Sequence, residues 1–515
     1  MTMNAAIRIA NDSPFCESRQ SMKKLEDALI SEDALNAPLH DIERMLREGG
    51  RELMRTMMQA HFDRRSAQER EVEVCDADGV ERVRVRDGSR TVMTEFGEVQ
   101  LDRKLYQADG ADALAPLDAA MELPDEKYSL TVRRIVAEEA ARASFDEVVE
   151  LVQKQSGAVV PKRQVEELAV RASVDFDAFY RDRLREPEDG DALLVLSFDG
   201  KGIAMLHRDL REETRKKAEK TKRRLATRLT QGEKPNRKRM AEVATVYSVA
   251  AWPRTIADVL HGVHDKKEKA ARRPRPINKR VWASVEHAPM RVIQDAFDEA
   301  MRRDPERSRR WIVLVDGNKD QLARIKAAAR FAGAEITIVL DLVHVIEYLW
   351  RAAHVFHKSG TEEAEQWVEC RLQSLLQGRS GGEIAKSLRA MSATHALDAD
   401  DAETVEATAR YLVNNTRLLH YDRALAQGLP IATGVIEGAC RYLVNDRMGR
   451  TGAVWSLKGA EAVLRLRALR ASGDFDDYWQ FHLAKEHDRT HRARYAAGEV
   501  PNPLPPKRPH LRLVK

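Results

Sequence analysis

Apolar residues recur near helical spacing through the first part of the chain. Leu35, Leu39, Ile42, Leu46, Leu53, Met54 and Met57 predict amphipathic helix over 1–70. The period then changes. Val72, Val74, Val83, Val85, Val99 and Leu101 alternate with charged residues, and Asp78-Gly79, Asp87-Gly88 and Phe96-Gly97 interrupt them. That pattern predicts a small antiparallel sheet with tight turns over 71–125. Arg82, Arg84 and Arg86 share one strand face there. The face reads equally as solvated or as a contact to a DNA backbone.

A second helical stretch, 126–187, follows a loop containing Pro116 and Pro124. Ser144 and Glu147 have the spacing of a capping box, and Val148, Val149, Leu151 and Val152 give that helix an apolar face. It ends near Ser156-Gly157. Another helix is expected from Pro161 through Val165 and Leu168. Two short helices joined by a glycine turn suit a helix-turn-helix whose second helix enters the major groove. Lys162, Arg163 and Gln164 at its start are then DNA-binding candidates.

Past Pro187 and Gly190 the pattern becomes α/β. Continuous apolar runs at 193–198 (LLVLSF), 243–249, 311–315 (WIVLV) and 336–340 (ITIVL) predict buried strands. Helices are expected around 279–303 and through Leu322, Ile325 and Ala329. The predicted fold class is multidomain α+β, with an α/β catalytic core. Its first part spans 188–343, an all-helical insertion spans 344–430, and its second part spans 431–495. A flexible, basic, proline-rich tail is expected over 496–515.

Composition adds little until charge is located. The 515 residues carry a formal net charge of only +4, yet between Lys201 and Arg239 fifteen Lys or Arg face five Asp or Glu. Lys222, Arg223, Arg224, Arg237, Lys238 and Arg239 lie in that stretch, and a further basic run spans 266–280. Such an excess is suited to neutralising phosphates. The four cysteines form no CxxC pair, so no zinc cage is expected and the thiols are expected to be reduced. The start of the chain lacks a secretory pattern and no apolar run reaches membrane-spanning length, so a cytoplasmic protein is expected.

Three acids stand out by position. Asp199 follows the first buried run and Asp316 a later one, while Glu437 opens a helix in Gly434-Val435-Ile436-Glu437. Carboxylates at strand ends point into a cleft. Converging there, they make an oxygen set suited to Mg²⁺ or Mn²⁺, and two such ions activate and stabilise the oxygens of a phosphodiester exchange. Strand-Asp, strand-Asp, helix-Glu is the order of an RNase H-like nuclease core. Asp341 also ends a strand and, with His344 three residues on, reads either as a helix cap with a core histidine or as part of the site. Asp316 and Asp341 both stand for the second acid.

FDGKG, KRMAEVATVYSV, VDGNKDQL, LDLVHVIEYLW and GLPIATGVIEGACRYLVNDRMGRTGAVWSLKGAEAVLRLRAL resemble, in order, ISKra-type insertion-sequence transposases over about 190–495. These are similar to the wider mutator-like group of DDE transposases. The resemblance implies Asp199, Asp316 and Glu437 as catalytic and metal-binding acids. It also implies a C/DxxH motif at Asp341 and His344, and a helical insertion before the glutamate. It implies a bacterial enzyme acting on double-stranded DNA at element ends and target, as a homodimer or higher multimer. Relatives often carry cysteine pairs in the β-rich segment. Here Cys75 stands alone, and zinc is not expected. A catalytically silent DNA-binding derivative and an RNase H-like nuclease or resolvase are the other readings.

Overall fold

The alternating N-terminal segment forms one long hairpin in the computed structural model, which describes residues 14–183, 188, 190–220, 237–264, 273–432, 434–450 and 452–505. Strands β1 (Arg84–Thr94) and β2 (Gly97–Gln107) pair antiparallel from Arg84↔Gln107 to Thr94↔Gly97. Phe96-Gly97 is a turn as expected, but Asp87-Gly88 lies mid-strand. The Leu105 side chain covers Gly88, and a Cβ there would sit 2.5 Å from Leu105 Cδ1. Glycine at this position serves close approach rather than chain reversal. Arg82 is not on an exposed strand face either. It is buried against the Asp76 carboxylate at 2.6 Å and donates to Asp112 O.

The chain divides into two units, Met1–Arg181 with Phe475–Lys515, and Asp182–Asp474. The first holds a helical hairpin, α1 (Cys16–Leu29) and α2 (Leu39–Ala67), with Phe62 of α2 packed on Val92, Val99 and Leu101 of the β-hairpin. Helices α3 (Leu130–Ala140), α4 (Phe145–Ser156) and α5 (Lys162–Arg171) pack pairwise. Ser144 and Glu147 form the expected capping box, and Gly157 ends α4 at φ 71°. That left-handed conformation favours glycine, which suits the tight connection into α5.

Helix Phe475–Thr490, expected in the α/β core, belongs to this first unit. A buried charge network holds it. Arg133, fully buried, pairs with Glu486 at 2.7 Å and with Glu126 through Nε at 2.8 Å. Its Nη1 lies 3.2 Å from His482 Nε2, which must accept, leaving the ring proton on Nδ1 to bond Asp175 at 2.7 Å. Burial would raise the Asp175 carboxyl, but hydrogen bonds from His482 and Arg489 hold it down at about 2. The expected flexible tail also docks as far as residue 505. Arg70 N donates to Pro503 O at 2.8 Å, and Leu504 rests on the Phe62 cluster. Residues 506–515 lie outside the described residues.

The second unit is built on a mixed five-stranded sheet, ordered β5-β4-β3-β6-β7. These are β3 (Leu193–Ala204), β4 (Lys238–Val249), β5 (Ile277–Ser284), β6 (Trp311–Val315) and β7 (Ile336–Leu340). The first three pair antiparallel, and β6 and β7 add in parallel beside β3. Strand β5 corrects the helix expected around 279–303, which begins only at Pro289 (α6, Pro289–Arg303). Lys279 and Arg280 disguised the strand. Arg280 is buried, bonded to Glu299 at 2.8 Å, with its guanidinium 4.3 Å from the Trp282 ring centre. Helices α6 and α7 (Lys319–Ala332) pack against each other, with α6 against β3 and β4.

From 342 to 426 the described elements are helical: α8 (Leu342–Phe356), α9 (Glu362–Leu376), α10 (Gly381–Thr394), α11 (Ala399–Asn414), a short 3₁₀ turn and α12 (Tyr421–Ala426). The chain returns through α13 (Gly434–Ala439), which contacts β3 and β4, and α14 (Leu457–Ser472), which contacts β5. No helix among the described residues is long and apolar enough to cross a membrane.

Arg133→Ala is expected to cost about 3 kcal/mol of unfolding free energy, because Glu126 and Glu486 lose their one buried cation and keep only the half-exposed Arg171 and Arg489. Urea denaturation of the full chain measures it. Arg163→Ala, at the exposed Arg163–Glu167 pair, is the control and should shift the midpoint little. Equal effects of the two substitutions would remove the network's structural role.

Candidate functional site

Parallel register brings the acids into one row. The β3/β6 pairing ends at Ser197↔Leu314, and two further residues on each strand set Asp199 level with Asp316. The β6/β7 pairing ends at Val315↔Leu340, so the next step sets Asp316 level with Asp341. Asp341 N donates to Val315 O at 2.8 Å, so this ladder runs through Asp341 itself. Neighbouring strands lie about 4.8 Å apart, which makes the three aspartates close neighbours at the strand ends.

Asp199 does not end its strand as expected. Strand β3 continues to Ala204, paired only with β4, because β6 stops level with Phe198. Asp199 therefore stands where the sheet narrows. Its Oδ1 accepts from Gly200 N at 2.6 Å. Its Oδ2 meets Lys201 Nζ at 2.9 Å and accepts from Cys440 Sγ at 3.2 Å. Burial works against the Lys201 charge, but the Asp199 carboxylate holds its pKa above lysine's ordinary value. Burial first, then the charge of Asp199, pushes the Cys440 thiol far up, so it stays protonated and donates.

Asp316 starts the turn into α7. Its Oδ1 accepts from Asn318 N at 2.8 Å, Gly317 follows at φ 92°, and Asn318 caps the helix. Tyr411 of α11 donates to Asp316 O at 2.9 Å. Among the described residues nothing donates to Asp316 Oδ2. Asp341 differs. It is buried, 2% exposed, and its Oδ1 caps α8 by accepting from Val343 N at 3.0 Å. His344, one turn on, lies 3.7 Å from Glu347.

Glu437 sits on α13, on the exposed side of that short helix. Burial raises its carboxyl pKa, and the charges of Asp341, Glu347 and Asp199 raise it further against His344. That pattern places Glu437 within electrostatic reach of the aspartate row. The helix then widens into a π-turn over Cys440–Asn445, a geometry frequent at functional sites. Arg467 of α14 donates to the carbonyls of Leu443, at 3.1 Å, and Tyr442, which the wider turn leaves available.

Sequence reasoning missed Lys201, Cys440 and Glu242. Lys201 lies two residues beyond Asp199 on the same strand face, and Cys440 lies three beyond Glu437 on a helix, so both spacings were visible. Glu242 is a charge inside an apolar strand. It pairs in register with Gly200, faces away from Asp199 and accepts from Gln321 Nε2 at 2.9 Å. Burial pushes its carboxyl up to about 7, helped by the charges of Asp199 and Asp316.

The basic candidates divide. Arg239 donates to Val285 O, Asp209 O and Glu286 O, and so staples loops together. Arg237 and Lys238 stand at the start of β4 without such ties. Lys222, Arg223 and Arg224 lie outside the described residues. In the first unit, Lys162 pairs with Asp146 at 2.7 Å, while Arg163 and Gln164 bond Glu167. Exposed pairs of this kind contribute little and yield readily to a phosphate.

No protein-family model matches the chain, and no curated protein matches it. Among the described residues no group of three or more His, Cys, Asp and Glu converges closely enough to hold a metal by itself. The donor chemistry nonetheless fits a hard divalent cation bound jointly with a substrate phosphate. Its acids are carboxylates, and burial first, then the neighbouring carboxylate charges, raise the Glu437 carboxyl, a state that positive charge relieves.

Glu242 carries a pH signature. Its folded pKa lies above the ordinary 4.5, so the fold holds a proton that the unfolded chain releases between those values. Stability from this group is present below about pH 4.5 and is lost as pH rises toward 7, by about 3 kcal/mol at most. Glu242→Gln removes that loss. In chelator, the variant should melt higher than wild type at about pH 8 and gain little at about pH 4. Parallel melting curves across this range would show that Glu242 is not held protonated.

Proposed function

We propose that this chain is a DNA transposase of an insertion sequence, a metal-dependent DDE enzyme whose second unit is an RNase H-like catalytic core. The observation that carries this reading is the register row of Asp199, Asp316 and Asp341 on adjacent parallel strands, with the helix of Glu437 packed against the strand of Asp199. A three-strand antiparallel meander extended by two parallel strands, with the first acid on its central strand, supports the same core. The helical segment between β7 and α13 agrees with an insertion ahead of the catalytic glutamate.

Asp199, Asp316 and Glu437 are the proposed metal-binding acids. Asp316 is preferred over Asp341 as the second. Among the described residues nothing donates to Asp316 Oδ2, whereas Asp341 is buried and spends Oδ1 on capping α8. Bound Mg²⁺ or Mn²⁺, as a pair of ions, would supply the charge that activates a hydroxyl and stabilises the leaving oxygen of a phosphodiester.

The protein's own part is placement. Tyr411 fixes the Asp316 turn through its carbonyl, and the Asn318 cap fixes where α7 begins. Asp341 anchors α8 and thereby His344. Lys201 holds the Asp199 carboxylate in position. Positioning and preorganised charge are what phosphoryl exchange asks of a protein. Double-stranded DNA, both element ends and target, is the proposed substrate. Lys162, Arg163 and Gln164 open the proposed recognition helix, and Arg237 and Lys238 are placed to neutralise phosphate. A homodimer or higher multimer would pair two ends.

Asp199→Asn, Asp316→Asn and Glu437→Gln are each expected to lower metal-dependent cleavage and strand joining at least about a hundredfold. DNA binding in EDTA should stay near the wild-type level. Asp341→Asn should act through stability instead, and be visible in melting. A gel assay on DNA carrying the element's ends, with Mg²⁺ or EDTA, reads all of these. Full activity of Asp199→Asn would sink the assignment. Hydrolysis without joining would make the chain a nuclease or resolvase, and tight end-binding without cleavage a silent DNA-binding derivative.

A further inference from the structure

A cavity of about 290 Å³ in the second unit is lined by Tyr247, Trp252, Arg254, Arg273, Arg275, Pro430 and the start of the Glu437 helix, Gly434 and Val435, among others. Its Tyr247 wall belongs to the sheet face that carries Asp199. Tyr247 pairs in register with Val195, four residues before Asp199, so the two-residue period puts both side chains on one face. The Tyr247 hydroxyl is also within electrostatic reach of Asp341.

The walls are preformed. Trp252 N donates to Gly428 O at 2.9 Å and Arg254 N to Leu425 O at 3.2 Å, which clamps the segment after β4 onto the segment before α13. Gly428 allows that clamp, since a Cβ there would meet Trp252 N at 2.5 Å. Arg254 lies 5.3 Å from the Trp252 ring centre and bonds Trp252 O and Leu429 O, so it braces the ring. Arg273 and Arg275 alternate with Pro274 and Pro276, and both arginines are exposed. Proline fixes φ, so this stretch holds two guanidinium groups at the rim without the entropy cost of a flexible loop.

We infer that this cavity receives one unpaired base of the DNA strand being processed, with Trp252 and Tyr247 against the base and Arg273 and Arg275 on the flanking phosphates. The inference rests on the reading of the chain as a DNA-processing enzyme. Size admits a single base, the cavity lying at the lower end of the roughly 300–1,000 Å³ range of small-ligand pockets. An aromatic wall with a cationic rim is the combination that binds single strands with little regard to sequence. Position favours it as well. The cavity shares its wall with the helix of Glu437, so a base held there would draw its strand out of the duplex beside the carboxylates.

The test uses the full chain in EDTA and two single strands of equal length: an ordinary oligodeoxynucleotide and a wholly abasic strand with the same phosphates. Fluorescence anisotropy should show wild type binding the ordinary strand about fivefold or more tightly than the abasic one. Trp252→Ala should lose that difference and keep the abasic affinity, while Trp252→Phe retains it. Arg275→Ala should weaken both strands alike. Gly434→Leu is a second route that spares the clamp. A Cβ at this position meets nothing within 4 Å, and Gly434 lines the cavity, so a larger side chain is expected to narrow it. It too should remove the preference for bases. Equal binding of the two strands by wild type would overturn the proposal, as would a preference that survives both Trp252→Ala and Gly434→Leu. Cleavage with Mg²⁺ is scored separately on the same preparation. Base-dependent binding without cleavage overturns the proposed reaction and leaves the cavity assigned. Cleavage without base-dependent binding does the reverse.

Discussion

Parallel register is the constraint on which the second unit depends. Side chains in a strand alternate with a period of two, so slipping β6 or β7 by one residue would move every side chain to the other face. The runs WIVLV and ITIVL forbid that slip in different ways. Trp311 to Val315 are all buried, and Val339 and Leu340 are buried at the end of β7. A shift along the strand would carry apolar residues out past the sheet end and draw Asp316 into the core. Hydrophobic burial of two five-residue strands thus fixes where Asp316 and Asp341 stand relative to Asp199, although none of the three contributes to that burial.

The glutamate is positioned by other means. It comes from a short helix far along the chain, packed across β3 and β4. Six residues make a weak helix in isolation. Its continuation through the π-turn makes it dependable, because Arg467 ties the widened carbonyls to α14 and Cys440 bonds Asp199. One side chain therefore connects the helix of the last acid to the strand of the first. The site is a product of two constraints, sheet register and helix anchoring, which meet at Asp199.

Much of this was legible in the residues. Uninterrupted apolar runs disclosed β3, β4, β6 and β7, and an acid after a run disclosed the row. What stayed hidden has physical reasons. Strand β5 carries Lys279 and Arg280, and the Glu299 ion pair, contributed from α6, together with the Trp282 ring helps make Arg280 a core residue. Asp87-Gly88 looked like a turn because its true role depends on Leu105 across the hairpin. The β3 strand outruns the apolar stretch because β4 continues to pair with it after the continuous burial has ended. In each case the deciding partner is distant in sequence. Local patterning reports what a segment prefers to bury, and not which neighbour compensates its charge.

Charge compensation also explains how such a crowd of carboxylates tolerates being folded together. Asp199 is matched by Lys201, Asp341 is capped by a helix start, and Glu242 is held protonated by burial from about neutral pH downward. Among the described residues nothing donates to Asp316 Oδ2, and burial, then the charges of Asp341, Glu347 and Asp199, raise the Glu437 carboxyl against His344. The imbalance is local rather than general, since the chain's net charge is slightly positive and the basic stretch lies between β3 and β4. A fold selected for stability alone would more simply have neutral residues at these positions. Acids so placed at the open end of a rigid sheet cost stability, and the cost makes sense if a cation and a phosphate are what the site is built to hold.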